Sequence, residues 1–231
     1  MPSLIETASL EDVLARIESW YAAHVPAIQA SLRPGVPEEE LNDVEARTGL
    51  KLPEAYRTLY RWHDGQEFGP GGMFGMTFQS LARVEQVWER WQDLLHGSPD
   101  LNTNIPSQSH PPDAIQEAYI TRGWLSFLED GGGSGVGIDL NPGLEGVVGQ
   151  VINFGRDEQE KYVLADSLDA FLREYLRRLE TGRASAVRIE EFDWELWAVG
   201  LHEDNGQYVD GYFSLAQKFP GFGASPGLWQ R

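Results

Sequence analysis

Cysteine is absent from the 231 residues, which rules out disulfides, thiolate nucleophiles and cysteine-based zinc or iron–sulfur centres. Long apolar runs are missing too, since none approaches the ~20 residues needed to cross a bilayer. The opening segment carries Glu6, Glu11 and Asp12 and has no basic stretch before an apolar run, so no signal peptide is expected. A cytoplasmic chain without membrane contact follows as the expectation. Positive charge is scarce: 18 Lys and Arg stand against 36 Asp and Glu, a formal net charge of −18. Such a surface repels nucleic-acid phosphates and attracts a basic protein partner. The same charge also serves solubility, so by itself it does not choose a partner.

Signatures of catalysis and ligand binding are lacking as well. His24, His63, His96, His110 and His202 include no pair at the spacing that presents two imidazoles to one metal. Asp130 and Asp139 lack the alternating oxygen ligands of a calcium loop, and no GxSxG elbow surrounds a serine. The glycine-rich run at 131–137, GGGSGVG, invites comparison with a phosphate loop. That device needs a helix after the glycines, whereas strand-like residues follow here, and Glu129-Asp130 would repel phosphate. A hairpin or bulge explains the glycines better. Neither cofactor nor metal is expected, and no enzyme activity.

What is present suffices for a sizeable core: 41% apolar residues, eight tryptophans among them. Residues 9–30 read as an amphipathic helix with Leu10, Val13, Leu14, Ile17 and Tyr21 on one face. Ser9 is its N-cap, Asp12 mimics a capping box, and Pro26 ends or kinks it. Pro37 and Pro53 each open a further helix at the first helical position, and Gly49 is the left-handed stop between them. Tyr56, Leu59 and Tyr60 make one apolar face of the second helix, which ends at His63-Asp64-Gly65. Residues 66–75 form a loop leading to a short strand near 76–78. Ser80 then caps a helix whose apolar side holds Leu81, Val84, Val87, Trp88, Trp91, Leu94 and Leu95.

Residues 96–113, rich in Pro, Ser and Asn, predict a long connection. Strands follow at 124–128, 136–140, 147–154 and 161–164, spaced for an antiparallel meander. A last helix runs from a cap at Asp166 or Ser167 to Gly182, with Phe171, Leu172, Tyr175 and Leu176 facing inward. Trp62, Trp88 and Trp124 are expected to be largely buried. After 183, Trp194, Trp197 and Leu201 suit packing onto the domain, and 219–223, FPGFG, suits a surface-hugging tail.

Two stretches carry a resemblance. Residues 38–65 read ExxLxxVExxxGLxLPxxYxxLYxxHDG. Residues 124–142 combine Trp124-Leu125-Ser126-Phe127, an acidic-glycine loop and Ile138-Asp139-Leu140-Asn141-Pro142. Together with Gly149-Gln150-Val151 and Ala165-Asp166-Ser167-Leu168, their order resembles the Smi–Knr family of the SUKH superfamily. Ser134 departs from it where an acidic or amide residue is expected, and the long 96–113 connection and the residues after 180 are not covered. The resemblance implies an α+β domain, an antiparallel-rich curved sheet flanked by helices. On this chain it sits at 37–180, between an N-terminal helical segment (1–36) and a C-terminal extension (181–231). It also implies a protein-binding module. In bacteria that is often an immunity protein neutralising a toxin, frequently a basic nuclease. In fungi it is a regulator of cell-wall synthesis, a signalling or scaffold adaptor. A small-molecule site on the sheet stays open as a third reading. The expected contacts are acidic residues around the glycine loop and the turn after the paired helices: Asp64, Glu67, Glu129, Asp130 and Asp139. Phe68 and Phe74 are the expected hydrophobic anchors, because loop residues on a rigid sheet are free for recognition.

Overall fold

A computed structural model describes residues 4–69, 71–189, 196–202 and 208–209. The expectations for Trp194 and for 219–223 lie outside them. Helices α1 (Leu4–Thr7), α2 (Leu10–His24) and α3 (Pro26–Ser31) lead into strand β1 (Leu32–Pro34). The capping box on α2 is present, with Ser9 Oγ accepting from the Asp12 amide and the Asp12 side chain accepting from Ser9 N–H. Then come α4 (Glu38–Thr48), α5 (Glu54–Trp62) and β2 (His63–Gln66), which pairs antiparallel with β1. Gly49 stops α4 at φ 73°. Pro37 and Pro53 sit one residue earlier than expected: both are N-cap residues with extended ψ, and the acidic first turns begin after them. A ring cannot interfere with the helix from that position, and Glu38–Glu40 and Glu54 still meet the positive end of the dipole.

A 3₁₀ turn (Met73–Gly75) precedes β3 (Thr77–Phe78), α6 (Leu81–Gly97), α7 (Leu101–Asn104) and β4 (Gln108–His110). The meander is β5 (Trp124–Glu129), β6 (Ser134–Asp139), β7 (Gln150–Gly155) and β8 (Glu160–Ala165). It forms the centre of a six-stranded sheet in the order β3-β5-β6-β7-β8-β4. All its pairings are antiparallel except β4 with β8, which is parallel. The long connection thus supplies a sheet edge that its composition did not announce. Helix α8 (Leu168–Glu180) packs back on α2, and β9 (Ala184–Ile189), β10 (Leu196–His202) and β11 (Tyr208–Val209) make a smaller antiparallel sheet. The architecture is α+β. No helix among the described residues is long and apolar enough to cross a membrane.

Strand alternation sends side chains to both faces of the large sheet. One face carries Leu125, Phe127, Val136, Ile138, Val151 and Leu164 into the main core with α2, α5 and α8. Hydroxyls tie these layers together: Tyr56 donates to Ser126 O at 3.2 Å and Tyr60 to Gln79 O at 3.1 Å, while Tyr21 and Tyr175 share a bond of 2.7 Å. The opposite face carries Trp124, Ile152, Phe154 and Val163 against Ala114, Ile115, Tyr119 and Ile120, with Trp91 and Leu95 of α6 at the margin. The segment after α6 is therefore a cover for this second face, not a loose insertion. Trp124 and Trp88 are buried, whereas Trp62 is half-buried and donates its indole N–H to Glu18 at 3.1 Å.

Candidate functional site

The second face is not covered along its whole length. Towards the β5–β6 turn, α6 stands off the sheet and leaves an open groove of about 710 Å³. Its floor includes Leu128, Gly135, Phe154 and Gly155; its helical wall is Arg83, Val87, Arg90, Trp91 and Leu94, and Phe68 stands on its rim. The glycines explain why the floor is low. A Cβ at Gly135 would lie 2.1 Å from Leu128 O, and one at Gly137, the next residue on that face, 2.6 Å from the Phe154 ring. These positions exclude side chains for the sheet's own sake, and the bare backbone that results is open to a visitor.

The turn beside the groove is built by Asp130. Its Oδ1 accepts from Gly132 N at 2.7 Å and Ser134 N at 3.0 Å, with Gly131 at φ 80° and Gly133 at φ 102°. Glu129 lines the groove with its charge answered, because Arg83 Nη2 lies 3.2 Å from its Oε2. Arg90, also lining the groove, is exposed and makes no ion pair or hydrogen bond among the described residues. Phe68 is 96% exposed and Leu94 40%, a large unpartnered apolar display for one neighbourhood.

Asp64 acts at a distance from the opening. Its Oδ1 accepts the Leu81 amide at 2.6 Å, and Ser80 Oγ accepts the Arg83 amide at 3.2 Å, so both cap α6. Gly65, at φ 70°, allows the close approach, since a Cβ there would lie 2.4 Å from Ser80 N. The His-Asp-Gly sequence, expected as a turn, is the first part of strand β2, and through Asp64 it fixes the start of the groove's helical wall. Glu67 pairs with Arg33 at 2.9 Å on the surface.

Two expected contact residues need correction. Phe74 is 1% exposed, its ring 4.7 Å from that of Tyr175 and 5.5 Å from that of Phe171, so it is a core residue and not an anchor. It lies in the glycine-rich loop, but that loop folds inward over α8 because its apolar rings gain burial there. Asp139 is fully buried at the end of β6, accepting from Asn141 N at 2.9 Å and Gln150 Nε2 at 3.0 Å. Burial pushes its carboxyl up to about 6, against the opposing donors Asn141 and Gln150. It orders the β6–β7 connection from inside. Of the expected set, Phe68 and Glu129 line the groove, Asp130 shapes its edge, Asp64 supports its wall and Glu67 is a neighbour of Phe68.

The helical wall itself was missed. The sequence places the apolar residues of α6 on one side, with burial against a sheet favoured over a partner contact for Trp88 and Trp91, yet Leu81, Val84 and Trp88 are buried while Val87, Trp91 and Leu94 face the groove. The signal was there in the width of the stripe: seven apolar residues at both 3- and 4-residue steps cover more than one seam.

Among the described residues, no three His, Asp or Glu side chains gather in a way that could hold a metal ion. Residues 35–174, which include the groove's floor and helical wall, match the model of the SMI1 / KNR4 family (SUKH-1). The chain is 34% identical to KNR4/SMI1 homolog 2 of Debaryomyces hansenii, over 88% of its own length and 39% of the relative's. It is 28% identical to the cell wall assembly regulator SMI1 of Saccharomyces cerevisiae, over 72% of this chain and 39% of that one. With the glucan synthesis regulatory protein of Neurospora crassa it shares 31% identity, over 73% and 38% respectively. The chain spans about two fifths of the length of these relatives.

Proposed function

This chain belongs to the SMI1 / KNR4 family (SUKH-1), and from that premise we propose that it is a non-catalytic, cytoplasmic protein-binding adaptor of the cell-wall-regulator type. The single observation that carries the binding role is the apolar, glycine-floored groove between α6 and the β5–β7 strands, with Phe68 held out at its rim. A folded chain does not leave a phenylalanine almost wholly in water without cost, and partners commonly cover such patches. The relatives' names, regulators of cell wall assembly and of glucan synthesis, favour the adaptor over the immunity reading that the resemblance also allowed. The groove's volume falls in the range of small-molecule sites. Its open side and exposed rim suit a protein segment better. The net charge of −18 supports a partner that is basic outside the contact, drawn in at long range.

A domain exchange tests this. The segment of S. cerevisiae SMI1 that aligns with this chain is replaced by the chain, and growth under a cell-wall-perturbing dye is compared with that of the deletion strain. Rescue by the wild-type chimera, lost in a folded Leu94→Asp chimera of equal abundance, is the expected result. Failure of a stable wild-type chimera overturns the cell-wall-adaptor reading.

A further inference from the structure

Building on that adaptor reading, we infer that the groove takes an extended peptide segment with one large aromatic or aliphatic side chain and one carboxylate close to it. Charge separates this site from the rest of the molecule. The chain as a whole carries −18, but the groove's helical wall presents two guanidiniums, Arg83 and Arg90. Arg83 is already spent on Glu129 at 3.2 Å, so the pair is close to neutral. Arg90 makes no ion pair among the described residues and stands beside the apolar lining. Among the residues that line the groove, one positive charge is therefore left over, and one carboxylate satisfies it, provided that it docks at the Arg90 end of the wall and away from Asp130 at the β5–β6 turn. A second acidic group would meet the repulsion of the surrounding surface, and a basic group would meet Arg90 itself. The apolar side chain is set by the floor: Gly135 and Gly155 put no side chain in its way, and Trp91 and Phe68 offer ring surface on two sides. Aromatic anchors in such pockets carry most of the binding energy, while the charge fixes register.

The test pans a phage-displayed library of random linear peptides against the full chain and measures selected peptides by fluorescence anisotropy. The expected consensus holds one aromatic or large aliphatic residue near one Asp or Glu. Leu94→Asp, at an exposed position and with its fold checked by circular dichroism, should abolish binding. Arg90→Glu should weaken it by about three- to tenfold. Changing the peptide's acid to Lys should restore affinity for the Arg90→Glu variant and lower it for the wild type, an exchange that a folding defect cannot mimic. Peptides that bind equally well to Leu94→Asp overturn the groove as the site while leaving an adaptor that binds elsewhere. A consensus lacking the carboxylate, affinity indifferent to Arg90→Glu, or no enriched sequence overturns the inferred motif.

Discussion

The guanidinium of Arg83 on α6 lies 3.2 Å from the Glu129 carboxylate at the end of β5, so the groove's helical wall is tied to its floor where the β5–β6 turn begins. Both side chains are partly exposed, and a pair of this kind contributes at most about 1 kcal/mol. Its neighbour Asp130 does more for the fold, because its Oδ1 serves two amides of the turn, those of Gly132 and Ser134. Glu129→Gln is expected to shift stability by less than about 1 kcal/mol. Asp130→Ala should cost about 1–2 kcal/mol by leaving both amides without their acceptor. Urea denaturation of the two variants orders them. The reverse order would mean that the ion pair and not the turn holds the groove's edge.

Phe68 and Phe74 occupy one glycine-rich loop and have opposite surroundings, 96% against 1% exposed. Phe68→Ser is expected to leave stability within about 0.5 kcal/mol of wild type. Phe74→Ala should cost about 3–5 kcal/mol, since its ring packs on Phe171 and Tyr175 in the core. Thermal unfolding of both variants checks the contrast, and a marked loss for Phe68→Ser would show that its ring is covered in solution.

That contrast shows where the sequence was legible. Ser9, Gly49, Ser80, Ser167 and Gly182 announce helix ends through local chemistry, and each is found in that role. The meander was readable because short turns and strand periodicity are local as well. The site was readable only in part. Which of two phenylalanines in an irregular loop turns inward depends on the rings of α8, a hundred residues downstream. Asp64 capping a helix seventeen residues later and β4 pairing in parallel with β8 are contacts that no local pattern encodes. Asp139 looked like a loop acid because it precedes a turn; its burial depends on Trp124, Gln150 and the segment around Ala114 closing over it.

Trp124 anchors the second face and Trp62 lies at the edge of the first. Trp124 is 2% exposed, its ring 5.4 Å from that of Phe154 and 5.5 Å from the Lys161 ammonium. Trp124→Ala is expected to cost about 3–5 kcal/mol, and Trp62→Ala distinctly less because its ring is only half-buried. Denaturant midpoints measure the difference. A mild effect at Trp124 would mean that the cover formed by α7 and the residues around 114–120 collapses into the space.

Two buried charges give the stability an unusual dependence on pH. Asp139 titrates near 6 in the fold instead of 3.8, because burial opposes its ionisation. At this group the folded state therefore holds more protons than the unfolded one between those values, so its contribution to stability falls as pH rises from about 4 to about 6. Lys161 is moved the other way, from 10.5 down to about 8, again by burial, with Glu158 and Glu160 resisting the shift. Here the unfolded state holds more protons, and stability rises with pH between about 8 and about 10.5. Lys161→Met should remove the alkaline rise. At pH 7 it should stabilise by about 1 kcal/mol, because relief from burying an ammonium outweighs the loss of its bond to Glu158 O. Asp139→Asn should remove the acid-side slope without gaining stability at pH 4. The neighbours Asn141 N and Gln150 Nε2 both donate, and an amide NH₂ would face donors where the carboxyl now accepts. Urea midpoints from pH 4 to 10 for the wild type and both variants test these signs. An acid-side slope that persists in Asp139→Asn would place that titration on another group.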